Sequence, residues 1–231
     1  MARMTLLCTL YAFAVTPSLE AQRAGRMEWH EVEWSAGSVN VALVRPDEEG
    51  SIEHPVIFAL PWGSGSSQLV ETFVSSYWLT EPARRGYYVV APEIRGPTLA
   101  NTADQIIPAI FQWMDSELSY DAGRVALVGA SNGGRGLFLA AVAQPEKFQA
   151  LLALPGEFRG NASELAVLRG KPIRLLVGQL DEGWVESGQE TLEALQSQGV
   201  DAEFLIARGQ GHVLRLNPRE LVDWIDGALR P

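Results

Sequence analysis

The strongest constraint on the fold of this chain lies between Val125 and Gly136, where a strand-like run meets a glycine-rich turn and a helix-like run. Val125 to Val128 is short, apolar and rich in β-branched residues, which is typical of a buried strand. Residues 137–143 place leucine and alanine at helical spacing. The chain must therefore turn from strand to helix within Gly129-Ala130-Ser131-Asn132-Gly133, which predicts one unit of a sheet covered by helices.

Ser131 is the residue that this turn presents to its surroundings. A turn so tight holds its central residue in strained backbone geometry and pushes the side chain outward at the end of the strand. Side chains two positions before and after Ser131 would meet neighbouring backbone, so Gly129 and Gly133 are required there. The pentapeptide matches G-x-S-x-G, the sequence of a nucleophile elbow. The alternative is a glycine-rich turn that only packs a helix on a sheet.

Strand-like and helix-like runs alternate along the chain. The alternation predicts a mostly parallel sheet of eight strands with helices on both faces, in which the first two strands are antiparallel. The predicted strands are Met27 to Trp34, Val39 to Val44, Val56 to Leu60, Tyr87 to Ala91, Val125 to Val128, Phe148 to Leu154, Pro172 to Gly178 and Ala202 to Ala207. The predicted helices lie near residues 78–85, 106–118, 132–143, 163–169, 185–198 and 216–229.

Serine becomes an effective nucleophile only beside a general base that is oriented by an acid. Of the three histidines, His30 lies in the first strand and His54 lies at the amino-terminal end of the third, so a structural role is favoured for both. His212 follows the last strand and lies at the carboxyl edge, where sites of such sheets form. Its alternative role is that of an ordinary surface loop residue.

The acid should follow the strand that ends at Gly178, where Asp181 and Glu182 both carry a carboxylate. Asp181 is the better candidate because it is nearer to the strand and shorter, and Glu182 remains the alternative. The backbone N–H of Asn132 is one expected donor to a developing oxyanion. The second should come from the loop after Leu60, from Ser64 as first choice or Gly63 as second, unless that loop is merely a flexible glycine-serine segment.

Four motifs together resemble the α/β-hydrolases over about residues 38–229. They are Leu60-Pro61-Trp62-Gly63-Ser64, Gly129 to Gly134, Gly178-Gln179-Leu180-Asp181 and Gly209-Gln210-Gly211-His212. The chain is similar to compact esterases of the dienelactone-hydrolase and polyhydroxybutyrate-depolymerase-like groups, and to catalytic domains of prolyl-oligopeptidase-type peptidases. One departure is Trp62-Gly63, where many relatives carry His-Gly.

The resemblance implies a carboxylic ester hydrolase that forms an acyl-enzyme on Ser131, with His212 as base and Asp181 as acid. Trp62 and Trp184, with Trp78, are expected near the mouth of the site, and the first two are predicted to contact substrate. Relatives that act at lipid droplets carry a helical lid. Only Pro155 to Lys171 is available for one here, so no lid domain and a preference for short or soluble esters are expected. The alternatives are a peptidase on the same triad and an inactive hydrolase fold used for binding.

The composition limits partners and cofactors. A formal net charge of −10 disfavours nucleic acid and anionic membrane surfaces. The sequence contains no H-E-x-x-H, Walker A or dinucleotide-binding motif, so no metal and no cofactor are predicted. The expected partner is a small-molecule ester, and the oligomeric state stays open.

The first 21 residues resemble a secretory signal peptide. Arg3 precedes the mostly apolar run Met4 to Val15, and Leu19-Glu20-Ala21 places a small residue before the expected cleavage point. The run is too short to span a bilayer. We expect cleavage before about Gln22, a single domain over residues 22–231 and a secreted or periplasmic protein. Cleavage would remove Cys8, the single cysteine; a buried N-terminal helix is the alternative.

Overall fold

Parallel strands that are buried on both faces form the centre of the structure. The structure is a computed structural model, and it describes residues 26–48, 50, 52–94, 99 and 102–230. The predicted signal peptide lies outside these residues. The strands are β1 Met27–Trp34, β2 Gly37–Val44, β3 His54–Leu60, β4 Tyr88–Pro92, β5 Tyr120–Gly129, β6 Ala150–Ala153, β7 Ile173–Gly178 and β8 Ala202–Ala207. All eight predicted strands are therefore present.

The eight strands form one sheet in the order β1-β2-β4-β3-β5-β6-β7-β8. β1 pairs antiparallel with β2, and β2 pairs antiparallel with β4. Every other pairing is parallel, with β3 at the centre between β4 and β5. Parallel neighbours end at the same edge of the sheet, so the loops after β3, β5, β7 and β8 meet in space.

Helices cover both faces of the sheet, as predicted. Their bounds are α1 Ser67–Phe73, α2 Thr80–Arg84, α3 Ala103–Glu117, α4 Asn132–Ala143, α5 Glu182–Ser197 and α6 Pro218–Ala228. Side chains of β3 alternate between the two faces. Phe58 packs in one core layer with residues of α3, α4 and α5, and Ile57 packs in the other with residues of α1 and α6.

The segment after β3 differs most from the sequence prediction. The helix predicted near residues 78–85 is present as α2, but the sequence analysis missed α1, which begins at Ser67 and continues into the π-helical segment Val74–Trp78. The π-helical segment sets Tyr77 and Trp78 in a cluster of aromatic side chains with Phe73. Trp78 is fully buried there, so its expected place near the mouth of the site is wrong.

The connection between β6 and β7 contains one short 3-10 helix, Ala162–Leu168. In this connection, which the structure describes completely, no helical lid is inserted. Within the described ranges, none of the helices is both long enough and apolar enough to cross a membrane.

Candidate active site

Ser131 lies at the turn between β5 and α4 with φ of 57° and ψ of −114°. A positive φ is unfavourable for a residue with a Cβ atom, and such strain persists only where the surroundings impose it. The Ser131 N–H donates to the Pro155 carbonyl at 2.7 Å, and the Ala130 N–H donates to the Leu60 carbonyl at 3.2 Å. These bonds hold the turn against the neighbouring strands, and the predicted strand–turn–helix geometry is present.

Glycine is required on both sides of Ser131 because backbone atoms lie too close for a side chain. A Cβ atom on Gly129 would lie 2.3 Å from the carbonyl oxygen of Gly133, and one on Gly133 would lie 2.1 Å from the Leu60 carbonyl oxygen. A Cβ atom on Gly134 would lie 2.0 Å from the Pro155 oxygen. The close approach of α4 to β3 and to the loop after β6 therefore depends on this run of glycines.

His212 bridges the other two predicted catalytic side chains. Its Nε2 atom lies 2.9 Å from Ser131 Oγ, and its Nδ1 atom lies 2.6 Å from Asp181 Oδ2. When Nδ1–H donates to the carboxylate, Nε2 is left free to accept the serine proton. The structure therefore brings His212 together with Ser131, which lies 81 positions away in the sequence, and with Asp181, which lies 31 positions away.

Asp181 and Glu182 are adjacent, but only Asp181 faces His212. Asp181 is the N-cap of α5, and Glu182 begins the helix as an exposed residue. A Cβ atom on Gly178 would lie 2.1 Å from the Gly211 oxygen, so glycine lets the histidine loop pack directly over the end of β7. The Leu180 N–H donates to the Gln210 carbonyl at 2.8 Å, which joins the acid loop to the histidine loop.

A small pocket of about 200 Å³ opens beside Ser131 and His212. Its walls are mostly apolar and include Trp62, Tyr77, Leu154, Pro155 and Leu214. The Tyr77 hydroxyl donates to the Leu214 carbonyl, and burial raises the pKa of this hydroxyl, which keeps it protonated as a donor. Tyr77 therefore joins the π-helical segment to the loop after β8, which carries His212 and Leu214.

The three predicted oxyanion donors lie in the turn after β5 and in the loop after β3. Asn132 is the first residue of α4, where a backbone N–H has no acceptor within the helix. Gly63 lines the pocket with Ser131 and has a φ of 67°, whereas Ser64 is exposed. The Gly65 N–H donates to the Trp62 carbonyl at 3.3 Å, which closes a tight turn over Gly63 and Ser64.

The two tryptophans predicted to contact substrate occupy different positions. Trp62 lines the pocket and packs edge-on against Phe73 and Tyr77. Trp184 lies outside the pocket, with its ring centroid 5.5 Å from that of His212 and 4.6 Å from the Arg135 guanidinium carbon. Trp62 is thus placed to touch a ligand in the pocket, while Trp184 flanks the histidine.

The structure also brings Arg135 and Glu157 to the site, and neither was singled out from the sequence. Arg135 is four residues after Ser131, so helical spacing alone would have placed it on the same face of α4. Glu157 follows β6, is 5% exposed and accepts from Arg135 Nε at 2.5 Å. Nothing in the sequence pairs these two residues.

The other two histidines lie away from this site. His54 is buried, with Nδ1 2.8 Å from the Gly86 carbonyl oxygen, and His30 packs against the Trp113 ring. Both arrangements fit the structural roles favoured from the sequence. Among the described residues, no group of three or more histidine, cysteine, aspartate or glutamate side chains is arranged to hold a metal ion.

Comparisons with known proteins identify the fold through structure. No protein-family profile and no curated protein sequence matches the chain. A thermostable esterase superposes with a TM-score of 0.72 at 18% identity, over 89% of this chain and 64% of the esterase. A fungal esterase from Rhizomucor miehei gives a TM-score of 0.69 at 16% identity, over 92% of this chain and 89% of the esterase.

A peptidase matches to a similar degree. The acylaminoacyl peptidase of Pyrococcus horikoshii superposes with a TM-score of 0.63 at 14% identity, over 88% of this chain. The chain spans only 40% of that peptidase. These structures share the α/β-hydrolase fold, and the eight-stranded sheet with helices on both faces shows that this chain has that fold. At such low identities the likeness extends to the fold alone.

Proposed function

We propose that this protein is a serine hydrolase that cleaves carboxylic esters through an acyl-enzyme on Ser131. The observation that carries the proposal is the single imidazole of His212, within hydrogen-bonding distance of both the Ser131 hydroxyl and the Asp181 carboxylate. Nucleophile, acid and base follow one another along the chain as Ser131, Asp181 and His212, which is the order that this fold uses. The strained backbone at Ser131 supports the same reading, because strain of this kind concentrates at functional sites.

In the proposed reaction, the Ser131 oxygen attacks the ester carbonyl carbon while His212 Nε2 accepts the hydroxyl proton. The negative charge on the carbonyl oxygen is stabilised by the Asn132 N–H and by an N–H of the loop after β3, from Gly63 or Ser64. Collapse of the tetrahedral intermediate breaks the bond to the alcohol, which leaves with the proton from His212. Water, activated by His212, then attacks the acyl-enzyme in the same way and releases the carboxylic acid product and the free Ser131 hydroxyl. Asp181 orients the imidazole throughout.

The pocket supports a preference for small acyl groups. A cavity of about 200 Å³ with apolar walls favours a short hydrocarbon chain, and its polar end lies at Ser131 and His212. Substrates with acyl groups of butyrate length or shorter are the expected class. The absence of a lid in the β6–β7 connection supports soluble substrates and no gain in rate at a lipid interface.

A peptidase is the second candidate, because the fold neighbours include acylaminoacyl and dipeptidyl peptidases. Rates on p-nitrophenyl acetate, butyrate, octanoate and palmitate, compared with peptide p-nitroanilides, separate the two. We expect ester cleavage that decreases with acyl length and is abolished by Ser131→Ala. Faster cleavage of the anilides would favour the peptidase, and a maximum at palmitate would contradict the substrate class. Folded wild-type protein without activity on either set would favour a binding role.

We also propose that the protein is exported, on the basis of the basic, apolar and small-residue pattern of residues 1–21. N-terminal sequencing of protein from the native host should give a mature chain that begins near Gln22. Recovery of the intact Met1 end from the cytosol would contradict export.

A further inference from the structure

The side chain of Asn132 joins the nucleophile turn to the loop after β3. Its Nδ2 atom donates to the Gly63 carbonyl at 2.8 Å, so the residue next to Ser131 contacts the loop expected to supply the second oxyanion donor. The backbone N–H of Asn132 and its side chain therefore have separate tasks. The N–H is a candidate oxyanion donor, and the carboxamide contacts the other half of the same site.

The bond to the Gly63 carbonyl sets the direction of a peptide plane. In a trans peptide the C=O and the following N–H point in opposite directions, so fixing the Gly63 oxygen also fixes the Ser64 N–H. Gly63 has a φ of 67° and Gly65 a φ of 63°, and a loop with two such glycines has several accessible conformations. The Gly65 N–H closes the turn on the Trp62 carbonyl at 3.3 Å, and the Ile94 N–H holds the Gly65 carbonyl at 3.1 Å. The Asn132 carboxamide adds the contact that acts on the Gly63 carbonyl itself.

Arg135 holds the Asn132 carboxamide in place. Arg135 Nη1 donates to Asn132 Oδ1 at 3.0 Å, and Arg135 Nε donates to Glu157 Oε1 at 2.5 Å. The Trp184 ring lies against the guanidinium group at 4.6 Å. A planar cation that is fixed by a carboxylate, an amide and an aromatic face has little rotational freedom.

Glu157 anchors this arrangement from the protein interior. Burial by itself raises the pKa of its carboxyl, but hydrogen bonding from Ser187, Arg135 and Arg159 and the charge of Arg135 hold that pKa below its usual value. The carboxylate therefore stays charged and keeps Arg135 in position. Arg159 Nη2 contacts the same Oε1 atom at 2.6 Å, but its side chain is 69% exposed.

We propose that Arg135, acting through the Asn132 carboxamide, is a positioning residue that fixes the Gly63–Ser64 peptide for oxyanion binding. The proposal rests on the proposed ester hydrolysis. It gives roles to three groups outside the triad. Arg135 positions the Asn132 side chain, Glu157 anchors Arg135, and the Asn132 side chain holds the Gly63 carbonyl. The chemistry predicts a loss of transition-state stabilisation, and not of substrate binding, when the series of contacts is cut.

The test is steady-state kinetics on p-nitrophenyl acetate with Asn132→Ala, Arg135→Ala and the double variant. Asn132→Ala keeps the backbone N–H and removes only the carboxamide. Loss of one oxyanion donor costs about 10²–10³ in kcat, and a misplaced donor should cost less. We expect each single variant to lower kcat by about 10- to 100-fold with little change in KM. The double variant should be no slower than the slower single variant, because both act through one bond.

Arg159→Ala is the matched control, because it removes a second arginine from the same Glu157 oxygen without touching Asn132. Its kcat should stay within about twofold of wild type, a difference below about 0.4 kcal/mol. Arg135→Lys keeps the charge but has no planar fork to bridge Glu157 and Asn132, so it should resemble Arg135→Ala. Added methylguanidinium should restore part of the kcat of Arg135→Ala and leave Asn132→Ala unchanged. Near-ultraviolet circular dichroism checks that each variant is folded.

Several results would overturn the proposal. They are an unchanged kcat in folded Asn132→Ala, a full additive loss in the double variant, an equal loss in Arg159→Ala, or a change confined to KM. If Arg135→Ala does not fold, Asn132→Ala and Arg135→Lys decide the question. Ser131→Ala separates the two levels of the account. If it retains activity, the proposed function fails; if it abolishes activity while Asn132→Ala is unaffected, only the positioning role fails.

Discussion

The two sides of Ser131 are built from different chemistry. On one side, Trp62, Tyr77 and Leu154 form a pocket with mostly apolar walls. On the other side, Asn132, Arg135 and Glu157 are linked by charged hydrogen bonds that run from the interior to the loop after β3. The apolar side can select a substrate by shape, and the charged side can hold backbone donors in position. If the proposed function holds, we expect that substrate specificity and catalytic geometry can be changed separately.

The largest effect is expected at the proposed triad, which lies between the two sides. Asp181→Asn should lower kcat by about 10⁴-fold because the imidazole loses its orienting acceptor, whereas Glu182→Gln should have a mild effect. Steady-state kinetics on p-nitrophenyl acetate measures both.

A larger loss for Glu182→Gln than for Asp181→Asn would show that the acid is misassigned. EDTA should leave the rate unchanged, since the proposed steps require no metal ion.

The apolar side should control acyl length. Leu154 is 4% exposed and lines the pocket, so Leu154→Ala should enlarge the pocket and move the optimum toward longer chains. One added methylene in an apolar pocket changes discrimination by roughly 10-fold or more, so the ratio of kcat/KM for octanoate over acetate should rise about 10-fold.

Leu152→Ala is the matched control for this change. Leu152 is 1% exposed, belongs to the same core layer and does not line the pocket. Both variants should lose about 2–5 kcal/mol of stability, but only Leu154→Ala should change the acyl profile. An unchanged profile in Leu154→Ala would place the acyl group elsewhere.

The charged side should respond to acid in a way that the apolar side cannot. The pKa of Glu157 is lowered in the folded protein, so its contribution to stability is present above the unfolded pKa and is lost as pH falls through the folded pKa. Glu157→Gln should lose about 1 kcal/mol of stability near neutral pH. That difference should shrink progressively below the unfolded pKa. Urea unfolding at a series of pH values measures it.

Glu164→Gln, which alters an exposed carboxylate, should match wild type at every pH in the same series. A gap between Glu157→Gln and wild type that is constant down to strongly acidic pH would contradict the charged anchor.

The parts of this site that depend on local geometry could be predicted from the sequence. Gly129, Ser131 and Gly133 lie within five residues, and the sterics of a strand–turn–helix unit determine their types. His212 and Asp181 could be proposed because each follows a strand of the parallel sheet, and the carboxyl ends of parallel strands meet at one edge, where Ser131 also lies. All eight strands were found because their apolar or alternating runs are local in the sequence, although β5 begins at Tyr120, five residues before the predicted Val125.

The parts that depend on packing between distant elements could not be predicted. Arg135 and Glu157 are 22 residues apart, and no periodicity links α4 to the loop after β6. Residues 67–78 are an exception, because Val70, Phe73, Val74, Tyr77 and Trp78 recur at helical spacing and are all buried. This stripe could have predicted α1, which was missed, but it does not distinguish the π-helical segment from an α-helix. Trp78 is buried because that segment turns it toward the core, a choice set by tertiary contacts.

Covalent labelling with a fluorophosphonate probe tests the central claim most directly. The probe reacts with a serine only when a base activates it and donors stabilise the developing charge. Intact-mass analysis of folded wild-type protein should show one adduct, assigned to Ser131 by peptide mapping, and Ser131→Ala should remain unlabelled. Folded wild-type protein without an adduct, or an adduct that persists in Ser131→Ala, would contradict the account.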